Sequence, residues 1–534
     1  MLGMRNPFLY LCLLLTSCAQ VGSPGGGPKD ELGPRVIKSR PLNFATSLRT
    51  GRIELTFNEF VSLKSPQSEV LISPPFEQIP SYILKGKTLR ITWDEALKEN
   101  TTYTFNLGKA IVDYHEGNPL DSNLFVFSTG SQLDSGIVAG TVLDAFTGKP
   151  LEKASVILYT SMQDSTPALE MPYYYTRTDK DGNFTFQFLR KNNFYLFALE
   201  DKNSNYRYDL PNEQLAFSNI AVDAGNDTLR YKLRMFTVAP TRQFIKSISE
   251  SRPGEIIVVT ALPTTPEAFF IKPDTGIWEP YHQVVSASSD TIKFYTSQSS
   301  FAQTLFCVLP RDTTADTTRL KRKPADTENA NPWKPSLYMR SAKAPYYQPF
   351  RLINTKPVIT VKPDAHVWIF SAGDTLRRAI RRDSLDATKS VLIIEGMPEE
   401  DKQYHILLPD SQFADGNGVF NDSLSIPLRT DSPLNYSALQ VKIKEISGMP
   451  YILEMLNDKE QPIRRATGTD TLILWDHLSS GNCTLRLIRD ENRNGIWDTG
   501  KFIPRKQPER VYYYSPGIAF KEGWDQEIEW IIEE

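Results

Sequence analysis

Two short stretches carry the residue types and spacing that could do chemistry. Asp201-Lys202-Asn203-Ser204-Asn205-Tyr206-Arg207-Tyr208-Asp209 and Asp490-Glu491-Asn492-Arg493-Asn494-Gly495-Ile496-Trp497-Asp498 share the pattern D-x-N-x-N-x-x-x-D. Side-chain oxygens at alternate positions, followed by a backbone carbonyl and a last carboxylate, match what a calcium loop supplies. The second loop would offer Asp490, Asn492, Asn494 and Asp498 with the Ile496 carbonyl. The first would offer Asp201, Asn203, Asn205 and Asp209 with the Arg207 carbonyl. Gly495 suits the sharp mid-loop turn, and Tyr206 takes its place in the first loop. Two carboxylates per loop predict weak affinity, roughly 10⁻⁴–10⁻³ M. The ion would be structural, since such a loop leaves no open coordination position. The alternative is that Asp and Asn close the loop by Asx turns without metal.

Nothing else in the chain forms a recognisable catalytic set. Five histidines, His115, His282, His366, His405 and His477, are scattered with no i, i+4 pair and no neighbouring Cys. They read as surface or packing residues. No nucleophile elbow, P-loop or dinucleotide fingerprint appears. A hydrolase would need two carboxylates about 5–9 Å apart in a cleft, which spacing in sequence cannot supply. The runs Tyr173-Tyr174-Tyr175 and Tyr512-Tyr513-Tyr514 could stack on sugars, but alternate tyrosines in a strand normally face a core.

The elements that must position the loops read as strands. At 534 residues the chain exceeds one core, and units of roughly 100 residues, the size of a β-sandwich, divide it into five. Ile53–Asn58, Thr88–Trp93 and Thr102–Leu107 alternate apolar and polar residues, the period of a half-buried strand. Ile137–Val142, Phe194–Ala198, Glu255–Val259, Ile292–Tyr295, Thr304–Val308, Val358–Val361, Val391–Ile394, Tyr404–Leu408 and Thr484–Ile488 add further strands. Asp181-Gly182 reads as the turn of a hairpin, and Asp415–Gly418 as another turn. The Thr/Asp/Lys/Pro-rich stretch from Arg311 to Lys343 reads as an exposed loop or linker. The expected fold class is all-β, and the family resemblances given below imply tandem Ig-like and transthyretin-like β-sandwiches.

Charge and cysteine use narrow the partners. With 60 basic and 63 acidic residues the net charge is −3, so no field favours nucleic acid. Beyond Cys12 and Cys18, only Cys307 and Cys483 remain, far apart in sequence, and they read as small buried thiols rather than a disulfide.

The amino-terminal stretch has the grammar of an export signal, with an apolar run from Phe8 to Leu15 ending in Thr16-Ser17-Cys18. That run is far shorter than the roughly 20 residues a spanning helix needs. Leu15-Thr16-Ser17-Cys18 resembles the lipobox of bacterial lipoproteins, which implies an N-terminal lipid on Cys18 and an aqueous chain tethered to a membrane. The Gly/Pro-rich segment behind it reads as a flexible spacer. The expected layout is a signal peptide over 1–17, a tether over 18–33, an Ig-like domain over 34–131 and a second β-sandwich over 135–235. A β-domain ending in a polar loop follows over 236–340, then a degenerate Ig-like domain over 345–431 and a second transthyretin-like sandwich over 436–534.

Three family resemblances bear on these domains. Phe57-Asn58-Glu59, Asn100-Thr101-Thr102-Tyr103 and the closing Phe127-Ser128-Thr129-Gly130 resemble the bacterial Ig-like domain of S-layer proteins. Ile137–Val142, Gly148-Lys149-Pro150-Leu151, Thr178–Phe184 and Phe194–Ala198 resemble the carboxypeptidase regulatory, transthyretin-like domain, a β-sandwich with no catalytic role. Gly26-Gly27-Pro28-Lys29-Asp30, Gln507–Tyr514 and Trp524-Asp525 resemble multi-domain Ig-like lipoproteins of the Bacteroidetes. That family has little assigned function; the tether, the serial Ig-like modules and the lack of a recognisable active site lead to the expectation of an outer-membrane lipoprotein without enzymatic activity, acting as scaffold or accessory subunit of an outer-membrane β-barrel assembly or transport complex. A surface adhesive or glycan-binding lipoprotein is the alternative. Surface-exported relatives carry an acidic run close behind the cysteine. Here Ala19–Pro28 has no charge, which favours the periplasmic face.

Overall fold

The computed structural model describes residues 30–532, except 162, 253, 269, 275–279, 287–288, 297–303, 310–315, 322–334, 340–342, 446–447 and 515. The export signal, Cys18 and tether residues 18–29 lie outside the described residues. Described helices are short turns such as Pro66–Glu69 and Thr166–Leu169; the fold is all-β. No helix among the described residues is long and apolar enough to cross a membrane. Contacts divide the chain into two compact units. One is Met1–Val142 with Pro150–Asp209 and Ala216–Leu233; the other is Leu143–Lys149 with Leu210–Leu215 and Arg234–Glu534.

In the first unit, Val36–Arg40, Arg52–Phe57, Thr88–Thr92 and Ser81–Lys85 form one antiparallel sheet in that order. Leu71–Ser73, Thr102–Asn106 and Leu124–Ser128 form another. Alternation decides which face turns inward: Ile53, Leu55 and Phe57 are buried while the residues between them are only half covered. They join Phe76, Trp93, Tyr103, Phe105 and Phe127 in one core. Tyr103 and Phe127 stack with centroids 5.5 Å apart. Asn118 Nδ2 donates to the Asp30 and Leu32 carbonyls, so residues 30–32 lie against this domain.

Farther along the unit, Ser155–Tyr159 pairs with Tyr174–Arg177 on one side and Asn193–Leu199 on the other. Gly136–Asp144 pairs with Asn183–Leu189. This corrects the expected hairpin at Asp181-Gly182. The turn itself forms, with Gly182 at φ +75° and Asp179 Oδ1 accepting the N–H groups of Asp181 and Asn183 at 2.9 and 2.8 Å. The strands it joins are not each other's partners. Turn chemistry is local, whereas pairing follows the faces to be buried, and Phe184 and Phe186 are covered where their strand lies beside Gly136–Thr141.

In the second unit, Ile245–Arg252, Glu255–Thr260, Thr291–Thr296 and Pro280–Val285 make a four-stranded sheet. It packs on Phe270–Pro273, Thr304–Leu309 and Asp316–Lys321, with Cys307 in the shared core. The last of these strands falls inside the stretch expected to be a loop. Its residues are polar because it is an edge strand, paired on one side with Thr304–Leu309.

A seven-stranded sheet and a two-stranded pair, Thr360–Val361 with Phe413–Ala414, follow between Ser336 and Arg429, around Leu352, Val367, Ile394, Ile406 and Phe413. Of the Val358–Val361 run, only Thr360–Val361 is a strand. The last sheets run from Tyr436 to Ile531 around Leu439, Val441, Leu453, Leu485 and Trp530. Tyr436–Lys444 lies between Leu472–Ser479, antiparallel, and Gln526–Ile531, parallel. Cys307 and Cys483 are both buried thiols, as expected.

Candidate functional site

Strand Gly481–Arg489 ends directly before Asp490, which is 4% exposed and sits inside the turn that follows. Its Oδ1 accepts the Asn494 N–H at 3.0 Å and its Oδ2 the Gly495 N–H at 2.9 Å. Asn494 Oδ1 accepts the Ile496 N–H at 2.9 Å, and Asn494 Nδ2 donates to Asp498 Oδ2 at 2.9 Å. Asn492 Nδ2 donates to the same Asp498 oxygen. Arg493 and Gly495 adopt left-handed conformations, φ +60° and +75°.

The first loop repeats this arrangement, except that its two Asn amides reach different oxygens of the closing Asp. Asp201 accepts the Asn205 and Tyr206 N–H groups at 3.1 and 2.9 Å. Asn205 accepts the Arg207 N–H at 2.8 Å. Asn203 and Asn205 donate to the two Asp209 oxygens at 3.1 and 2.7 Å. Ser204 and Tyr206 are the left-handed residues here, φ 58° and 62°. The shared sequence pattern is therefore a shared backbone shape, and Tyr206 occupies a conformation that Gly495 adopts without steric cost.

Each loop gathers the four side chains that the spacing grouped. Ile496 and Arg207 join through their N–H groups. Both Asn side chains of each loop face the closing Asp with their amide nitrogens, so the bonds present are those of the Asx-turn alternative. A calcium ion accepts oxygen ligands only, and these loops hold convergent carboxylate and carboxamide groups that fit a weak, structural ion in composition. Among the described residues, no three or more His, Cys, Asp or Glu side chains are grouped to hold a metal.

Around the second loop lie residues that the spacing did not indicate. Glu509 is 3% exposed beneath it. Its Oε1 accepts the Glu491 N–H at 2.9 Å and its Oε2 the Asp498 N–H at 3.0 Å. Trp497 Nε1 donates to the Glu509 carbonyl at 3.0 Å. Burial raises the Glu509 carboxyl above the usual range and the nearby Asp498 and Asp490 add to this, while the two backbone N–H bonds oppose it.

Trp497 also packs on Phe146, with centroids 4.9 Å apart. The Arg486 guanidinium lies 4.5 Å from the centre of the same ring. Arg486 donates Nε and Nη2 to Glu454 Oε2 at 2.8 and 2.6 Å, and both residues are under 10% exposed. Tyr513 donates its hydroxyl to the Phe146 carbonyl at 3.1 Å, and Lys149 meets Glu460 at 2.6 Å. Thr499 donates to the Thr237 carbonyl at 2.7 Å. Within the second unit, segment 143–149 is thus held by side chains more than 300 residues away. In the first unit, Tyr206 of the other loop packs edge-on against Tyr175 at 4.8 Å.

The tyrosine runs face inward. Tyr174 and Tyr175 are each 2% exposed, and Tyr512 and Tyr514 pack against the last core. The histidines are dispersed: His282 bonds the Ala387 carbonyl at 3.1 Å, His405 meets Ser425 at 2.7 Å, and His477 lies 3.9 Å from the Tyr347 ring.

Residues 30–129 match the family described as bacterial Ig-like domain. The chain is an all-β protein that contains this domain, a module that is not itself enzymatic. No curated protein matches the chain. Among solved structures, the Bacillus anthracis TIE protein is 9% identical over 96% of this chain and 76% of its own, with a TM-score of 0.16. Surface layer protein SbsC, domains 1–6, is 12% identical over 86% of this chain and 66% of its own, TM-score 0.14. BcpA, the major pilin subunit of Bacillus cereus, is 11% identical over 74% and 99%, TM-score 0.15. At TM-scores this low the likenesses carry no argument about function.

Proposed function

We propose that this chain is a non-catalytic envelope lipoprotein, anchored through a lipid on Cys18 to the outer membrane. In this reading it is a scaffold or accessory subunit of an outer-membrane β-barrel assembly or transport complex, on the periplasmic face. The observation that carries the reading is the clamp on segment 143–149. There a buried Glu454–Arg486 pair, the Phe146–Trp497 contact and Tyr513 hold the segment within the second unit. A chain that only spaces a ligand from a membrane needs little more than a flexible tether, whereas one that holds partners in register needs well-packed surfaces. Calcium bound in the D-x-N-x-N loops would stiffen those turns further.

Protease shaving of intact cells, followed by crosslinking and mass spectrometry, tests this. Protection with crosslinks to a β-barrel protein is expected. Cleavage at the surface with no membrane partner would overturn it in favour of the adhesive or glycan-binding reading.

A further inference from the structure

Within the first unit, residues 67–82 and 171–207 bound a cleft of about 570 Å³, inside the size range of ligand-binding clefts. Val70, Ile72, Phe76, Ile79 and Tyr82 give it an apolar wall, and Ile79 is 71% exposed there. Its charged lining groups are Arg177, Arg207 and Glu77, a net positive set.

The fold places the Arg177 guanidinium and the Arg207 backbone. Arg177 donates Nε to the Tyr175 hydroxyl at 2.6 Å and Nη1 to the Ser68 carbonyl at 2.8 Å. Arg207 sits where Asn205 fixes its backbone, and its Nε is buried with no hydrogen-bond partner. An unsatisfied buried donor of this kind is costly and calls for an acceptor. Burial pushes the Tyr82 hydroxyl up, with Tyr206 adding to it, and the Tyr206 hydroxyl up to about 12, so neither phenol cancels the cations at neutral pH.

We propose that this cleft binds the carboxylate end of a short apolar peptide, with Arg207 and Arg177 facing the carboxylate and the Val70–Tyr82 wall taking the side chains. A peptide is favoured over a fatty acid because Gln67, Gln78, Asn205 and Ser68 also line the cleft and can pair with backbone amides. The proposal stands apart from the scaffold reading, since binding can be measured whether or not a membrane partner exists.

The test is titration calorimetry on the full mature chain with N-acetyl-Leu-Phe, its carboxamide and octanoate. The free acid is expected to bind at least about tenfold tighter than the amide, as a charge-assisted pair requires. Arg207→Met should bring acid and amide to parity. Ile79→Glu, at an exposed position that leaves the fold intact, should weaken both at least about tenfold by placing a charge in the apolar wall. Equal affinities for acid and amide, no binding of the acid at millimolar concentration, or an unchanged Ile79→Glu protein would overturn the proposal. Octanoate binding as tightly as the peptide would overturn the peptide assignment.

Discussion

Breaking the Glu454–Arg486 pair should loosen the last domain locally, and a double substitution should restore most of the loss. Arg486→Met keeps the stem that covers Phe146 and removes both donors from Glu454 Oε2. Removing one partner of a buried pair costs roughly 3–5 kcal/mol, because the other charge is left uncompensated. Arg465, whose Nε lies 3.8 Å from Glu454 Oε1 and is largely solvated, offsets part of this. The expected cost is therefore near the lower end, about 3 kcal/mol. Glu454→Leu with Arg486→Met removes both charges and should cost under about 1.5 kcal/mol, since apolar replacement of a buried pair is often neutral or better. A chain of several domains does not unfold in two states, so a global melting curve is the wrong readout. Amide hydrogen exchange of strands Tyr451–Leu456 and Gly481–Arg489 reports the local opening free energy instead. A loss of about 3 kcal/mol corresponds to exchange on the order of 10²-fold faster. The reasoning fails if Arg486→Met leaves exchange within about threefold of wild type. It fails equally if the double substitution costs the sum of the singles, which would mean the pair is not coupled.

Calcium at 10 mM against a dissociation constant of about 1 mM should stabilise a loop-bearing domain by about 1.4 kcal/mol, reversed by chelation. Identical exchange of residues 490–498 with calcium and with chelator would leave Asx turns as the whole account. Gly495→Ala should destabilise the same loop by about 1–2 kcal/mol through its left-handed backbone. Open space surrounds the new Cβ, so no clash confuses the result, and unchanged exchange would refute it. Asp113 accepts the Glu116, Gly117 and Asn118 N–H groups at 2.6, 2.9 and 2.8 Å. Burial pushes its carboxyl up, but these bonds outweigh it and hold it below the usual range. Its contribution is thus present above the unfolded carboxyl pKa and is lost as pH falls through the depressed folded value. Asp113→Asn should be less stable than wild type at pH 7 and converge with it in strong acid; a difference independent of pH would refute this.

Much of the architecture was legible in the chain. Runs such as Arg52–Phe57 and Val391–Ile394 alternate or cluster so plainly that burial leaves no other reading. The two D-x-N-x-N loops were also legible, because their bonds are local and repeat with the sequence. Pairing was not. Asp181-Gly182 makes its turn but joins strands of different pairs, and the polar edge strand Asp316–Lys321 carries no alternation to announce it. The contacts of segment 143–149 were least visible, since Phe146 meets Trp497 and Arg486 across more than 300 residues and nothing in either stretch names the other. Likewise Arg177, Arg207 and Ile79 share a cleft only after two domains have folded and met.

The parallel strand Gln526–Ile531 carries a consequence for the order of events when the chain is made. It lies beside Tyr436–Lys444, pairing Leu439 with Gln526 and Lys444 with Ile531, and Trp530 completes the core. A chain emerging amino end first cannot fill that slot until residue 531 has appeared, whereas the Ig-like domain is self-contained by residue 129. During that interval one edge of Tyr436–Lys444 is unprotected, an adhesive surface of the kind that invites mispairing. A protein built this way has reason to meet a chaperone before its synthesis is complete, and its last domain, from Tyr436 onward, is where that help would act.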